Sequence, residues 1–85
     1  VMQDSKVISV KKFSFNTYDV FLEINRKLVN GKPKYWYHRY AQKHPIRDRN
    51  VQPYNEEVSE DFDTPCEVVF SGYLTVEVFE RKNKK

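Results

Sequence analysis

The dipeptide Asn30-Gly31 restricts the fold of this chain more than any other feature. Both residues tolerate positive φ, which a two-residue type I′ turn demands at both central positions. Before it, Tyr18 to Leu28 alternates. Tyr18, Val20, Leu22, Ile24 and Leu28 fall on one side and Asp19, Glu23, Asn25 and Lys27 on the other, with Phe21 and Arg26 as exceptions. That is the pattern of a half-buried strand. The stretch after the turn, KPKYWYHRY (Lys32 to Tyr40), is then the returning strand of an antiparallel hairpin.

A two-residue loop at Asn30-Gly31 sets residue n opposite residue 61 − n. Side chains alternate with period two, so this register assigns every residue to a face; a four-residue loop Asn30 to Pro33 leaves the faces unchanged, whereas a three- or five-residue loop inverts them. Tyr35, Tyr37 and Ala41 join Val20, Leu22 and Ile24 on the core face, with Arg39 as an awkward companion. Lys34, Trp36, His38, Tyr40 and Gln42 join Phe21, Glu23, Asn25 and Lys27 on the opposite face.

The flanking segments complete a small β fold. Lys6 to Phe15 is rich in β-branched and aromatic residues and predicts a strand whose period-two phase shifts near Lys11 and Lys12. Pro45 ends the hairpin and Ile46 to Tyr54 reads as loop. Asn55 can cap a short helix from Glu56 to Phe62, with Val58 and Phe62 towards the sheet. In Cys66 to Glu80 the apolar residues Val68, Phe70, Leu74, Val76 and Val78 share even positions, which favours one long strand bent at Gly72 over a second hairpin at Ser71-Gly72. The expected class is mainly β: a single small antiparallel sheet or partly open barrel, ordered β-β-β-short α-β. It forms one domain over residues 1–85, with frayed ends near 1–5 and 81–85.

Composition narrows the function classes. The single cysteine, Cys66, excludes an internal disulfide and a cysteine-pair zinc site, and it points to a reducing, cytoplasmic setting. Its position among even apolar residues reads as a small buried hydrophobe rather than a nucleophile. No apolar run reaches the ~18 residues of a membrane span. Residues 6–49 carry eleven Lys or Arg against three acids, whereas residues 50–80 carry eight acids and no base. Segregation of this kind points to charged partners or to two segments that neutralise each other in the fold.

The face bearing Phe21, Lys27, Lys34, Trp36, His38 and Tyr40 is the candidate site. Flat rings interleaved with cations are what single-stranded DNA or RNA binders use, for stacking and for phosphates respectively. The rival expectation is a protein-interaction module, such as a viral or mobile-element accessory or inhibitor. It would use the same rings as anchors, or the acids Glu56, Glu57, Glu60, Asp61 and Asp63 as a mimic of phosphates. His38 and His44 have no carboxylate or thiolate at ligand-like spacing, so neither a metal nor another cofactor is expected, and binding rather than catalysis is the expected activity. TYDVFLEI, then NGKPKYWYHR, then a short helix and a last strand resembles the small uracil-DNA glycosylase inhibitors of some Bacillus phages. The likeness covers the hairpin and implies no residue roles; those inhibitors are strongly acidic, where this hairpin is basic.

Overall fold

The computed structural model describes residues 5–15, 18–43 and 54–83. Four strands, β1 (Ser5–Ser14), β2 (Tyr18–Val29), β3 (Lys32–Lys43) and β4 (Tyr54–Val58), are followed by one helix, α1 (Pro65–Asn83). The strands form an antiparallel sheet in the order β1-β2-β3-β4, so every neighbour in space is also a neighbour in sequence. The chain is therefore mainly β, in one open sheet with a helix on one face.

The central hairpin follows from its turn. Asn30 and Gly31 take φ of 53° and 80°, and the register runs from Tyr18 opposite Lys43 to Val29 opposite Lys32, as a two-residue loop dictates. Val20, Leu22, Ile24, Tyr37 and Ala41 are buried beneath α1 together with Val68, Val76 and Phe79 of the helix. The expected ending of the hairpin at Pro45, the loop Ile46 to Tyr54 and the role of His44 fall largely outside the described residues. In β1 the irregularity lies between Val7 and Ser9, not at Lys11 and Lys12, so Ile8 is the extra residue of a bulge.

The elements after residue 53 differ from the expected order. Glu56 to Phe62 is not a helix: residues 54–58 pair with β3, and an isolated bridge joins Phe62 to Tyr35. Asn55 has φ of 56°, so its tolerance of the left-handed region is used to shape an irregular strand rather than to cap a helix. Correspondingly, Cys66 to Glu80 is not a bent strand but the body of α1. Val68, Gly72 and Val76 satisfy both a period of two and the i, i+4, i+8 spacing of a helix face, and Phe79 continues only the latter. Phe70, Leu74 and Val78 share the parity of Val68 yet are exposed.

What starts the helix is a Thr64 N-cap. The Thr64 hydroxyl accepts from Glu67 N at 3.3 Å and donates to Glu67 Oε1 at 3.0 Å, with Pro65 at the first helical position. Arg81 and Lys82 occupy the last turn, where the dipole favours cations. Cys66, in the first turn, is exposed rather than a buried hydrophobe, because Val68, about 200° further round the helix, takes the sheet-facing position.

Gly72 sets how closely the helix approaches. A Cβ built there would lie 2.8 Å and 3.0 Å from the two Cδ atoms of Leu22. Glycine costs about 1 kcal/mol against alanine in a helix interior, and here that cost brings the helix backbone down onto a buried leucine.

Candidate interaction face

The face of the sheet away from α1 is built by the hairpin register. Opposed residues share a face, so Phe21 with Tyr40, Glu23 with His38, Asn25 with Trp36 and Lys27 with Lys34 all lie on it. All six candidate residues, Phe21, Lys27, Lys34, Trp36, His38 and Tyr40, are half-buried and are brought together there. Strand β1 adds Val7, Val10 and Lys12 opposite Asn25, Glu23 and Phe21, and β4 adds Val58 opposite His38. Val7, Val10 and Val58 are all more than half exposed.

Three of the rings interact with one another. Phe21 and Tyr40 stack at 5.2 Å between centroids with 15° between planes, and His38 lies 4.9 Å from Tyr40. The Tyr40 hydroxyl donates to Glu23 Oε2 at 3.0 Å. Burial first, and then the neighbouring Glu23 carboxylate, push the Tyr40 phenol up to about 12. Asn25 is buried opposite Trp36, and its Nδ2 has no hydrogen-bond partner among the described residues.

The cations of this face are held by the acidic segment. After β4 the chain continues along the β3 edge. Ser59 N donates to Tyr37 O at 3.0 Å, Phe62 N to Tyr35 O at 2.7 Å and Tyr35 N to Phe62 O at 2.9 Å. That path carries Asp61 to Lys27 at 2.9 Å and Asp63 to Lys34, while Glu56 meets His38 Nε2 at 3.0 Å. The Lys34 ammonium holds the Asp63 carboxyl below its ordinary value, and Lys34 is raised in return. Four of the five candidate acids are therefore spent on partners within the fold; Glu60 is exposed and forms no ion pair among the described residues.

The fourth, Glu57, lies on the helix side in a network that sequence reasoning missed. Arg39, the misfit of the core face, is 7% exposed. Its guanidinium donates to Glu57 Oε1 at 3.0 Å, Thr75 Oγ1 at 2.7 Å and both oxygens of Asn55 at 3.2 Å, and it lies over the Phe79 ring at 5.1 Å. Thr75 Oγ1 donates to Glu57 Oε1 at 2.6 Å and the Tyr37 hydroxyl to Glu57 Oε2 at 3.1 Å. The Thr75 hydrogen bond leads in holding the Glu57 carboxyl below its ordinary 4.5, with Tyr37 and Arg39 adding to it against the opposing effect of burial. Arg39 thus ties β3, β4 and α1 together. The signal in the sequence was a lone arginine at a core position, which calls for buried partners.

Among the described residues no group of three His, Cys, Asp or Glu side chains is placed to hold a metal ion, and no helix is long and apolar enough to cross a membrane. The order strand then helix at the C-terminal end also removes the element order on which the glycosylase-inhibitor likeness rested. Comparison with protein-family models, with characterised proteins and with solved structures returns no match.

Proposed function

We propose that this chain is a non-catalytic binding module whose working surface is the open aromatic face, and that its partner on that face is a protein. The observation that carries the reading is the commitment of Lys27 and Lys34 to Asp61 and Asp63. A phosphate would have to displace those carboxylates and would then lie among Glu23, Glu56, Asp61 and Asp63. A protein surface faces no such competition. Half-buried rings framed by the exposed valines 7, 10 and 58, with paired charges at the margin, have the anatomy of an aromatic interface core inside a polar rim.

Nucleic acid is the second reading. Lys12 supports it, since it stands opposite Phe21 on the same face and forms no ion pair among the described residues. Two experiments separate the two. Trp36 is the only tryptophan, so its fluorescence reports the face directly. Oligo-dT and oligo-U of about 20 nucleotides should neither quench it nor bind saturably in ~50 mM salt, where phosphate contacts are strong. A photo-crosslinker in place of Trp36, expressed in the cells that make the protein, should yield protein adducts. Steeply salt-dependent oligonucleotide binding with quenching of Trp36, or crosslinks to nucleic acid alone, would overturn the protein reading in favour of the second.

A further inference from the structure

β1 is an unusual edge strand. It is ten residues long, it pairs on one side with β2, and among the described residues nothing pairs with its other side. Only Phe13, against Tyr73 at 5.9 Å, is even partly buried. Val7, Ile8 and Val10 are 52%, 49% and 55% exposed, so the strand presents apolar side chains as well as unpaired backbone. An edge of this length is a template for one more strand.

The charges choose the occupant. Ser5–Ser14 contains Lys6, Lys11 and Lys12 and no acid. Lys11 lies over the Tyr73 ring at 5.6 Å, and neither Lys6 nor Lys12 has an ion pair among the described residues. Antiparallel pairing with a second copy would bring two sets of lysines together, and like charges opposed across strands are destabilising. The chain itself shows the complementary solution on the other side of the sheet. There the basic strand β3 is covered by an acidic extended segment, with Glu56, Glu57, Asp61 and Asp63 reaching His38, Arg39, Lys27 and Lys34.

We propose that the outer edge of β1 is a docking site for an extended acidic segment of a partner protein, which adds a fifth strand to the sheet. Its backbone pairs with β1, its apolar residues meet Val7 and Val10 on the open face, and its carboxylates meet Lys6 and Lys11 on the helix face. The site is carried by β1 alone and does not depend on the open-face reading.

The test uses the full chain, ¹⁵N-labelled, and two capped synthetic peptides: Glu-Val-Glu-Thr repeated twice and the same peptide with every Glu replaced by Lys. The acidic peptide should bind at least ~10-fold more tightly at low salt, as expected when like-charge juxtaposition is replaced by opposite charge. It should slow exchange of alternate β1 amides, the ones directed away from β2. Lys6→Glu with Lys11→Glu, both at exposed positions on the helix face, should reverse the preference, and Trp36→Ala should leave it unchanged. Absence of binding, equal binding of both peptides, or protection confined to other amides would overturn the proposal. So would concentration-dependent dimers that protect β1 without peptide, which would assign the edge to a second copy.

Discussion

Replacing Gly72 by alanine tests how the helix is seated on the sheet. In a helix interior the change should stabilise by about 1 kcal/mol, because glycine is that much poorer a helix former. Here the new methyl would enter within 2.8 Å of one Leu22 Cδ and 3.0 Å of the other, and Leu22 is 1% exposed. Its flanking residues on the same face, Val20 and Ile24, are buried as well, so the leucine has little room to retreat. Overpacking of this kind costs about 1–3 kcal/mol, and the net result is a destabilisation of about 0–2 kcal/mol. In a Leu22→Val background both Cδ atoms are gone, at a cost of about 1 kcal/mol for the lost methylene. The new methyl then meets only the γ-carbon position, 3.3 Å away, so Gly72→Ala should become neutral to stabilising by up to about 1 kcal/mol, which gives a coupling of up to about 3 kcal/mol between the two sites. Urea unfolding followed by Trp36 fluorescence and helical circular dichroism on the four proteins closes the cycle. If Gly72→Ala stabilises equally in both backgrounds, the helix is not held by that contact and the reasoning fails.

Removing the two sides of the Arg39–Glu57 pair should not be equivalent. Glu57→Ala leaves a guanidinium whose side chain is 9% exposed without its counter-ion, while Arg39→Met leaves a carboxylate 43% exposed that water can reach. Chemical denaturation should show a loss of about 2–3 kcal/mol for the first and about 1 kcal/mol for the second, values below the fully buried case because Glu57 is partly solvated; the opposite ranking would refute the account. Since Glu57 is depressed below 4.5, its contribution is present above that pH and disappears as pH falls through the lower folded value. The stability gap between the wild type and Glu57→Gln should therefore close in acid. Tyr40 works in the other direction. Its pKa is raised from 10.0 to about 12, so its contribution is intact below pH 10.0 and is lost as pH rises through about 12. Burial raises the Tyr37 phenol as well, so absorbance titration at the phenolate band should show more than one late tyrosine, and Tyr40→Phe should delete the one near 12. Finally, Asp61→Asn with Asp63→Asn releases Lys27 and Lys34. If their neutralisation is what disfavours phosphates, single-stranded oligonucleotide binding should emerge with a salt slope steeper by about 1.4, the value for two added contacts. An unchanged slope would remove electrostatics from the argument.

The hairpin and the face it builds were legible because their determinants are local. A turn dipeptide with its own φ requirements and a clean alternation fix register, and register places Trp36 and Tyr40 without knowledge of the rest. The C-terminal third was not legible in the same way. Val68, Gly72 and Val76 fit two periodicities, and the β-branched residues around them favour strand until packing overrides propensity. The deciding local sign was Thr64-Pro65-Cys66-Glu67, a capping sequence that outweighs parity. The role of Arg39 could not be reached from neighbours, because its partner Thr75 lies 36 residues away. The neutralisation of the lysines was foreseeable as segregated charge. Which acid meets which base depends on the path of residues 59–63 along β3, and that path is tertiary.

The sequential order of the strands has a consequence for synthesis. β1, β2 and β3 can pair as they leave the ribosome, since no strand waits for a distant partner. Their core face cannot be covered then, because the helix that buries Val20, Leu22 and Ile24 comes last. Val68 follows Ala41 by 27 residues, which at ordinary elongation rates is roughly 1–5 s. For that interval a nascent chain displays a formed sheet with a bare aliphatic face, and it is in this window, rather than in the finished fold, that the molecule is most exposed to aggregation and most in need of a chaperone.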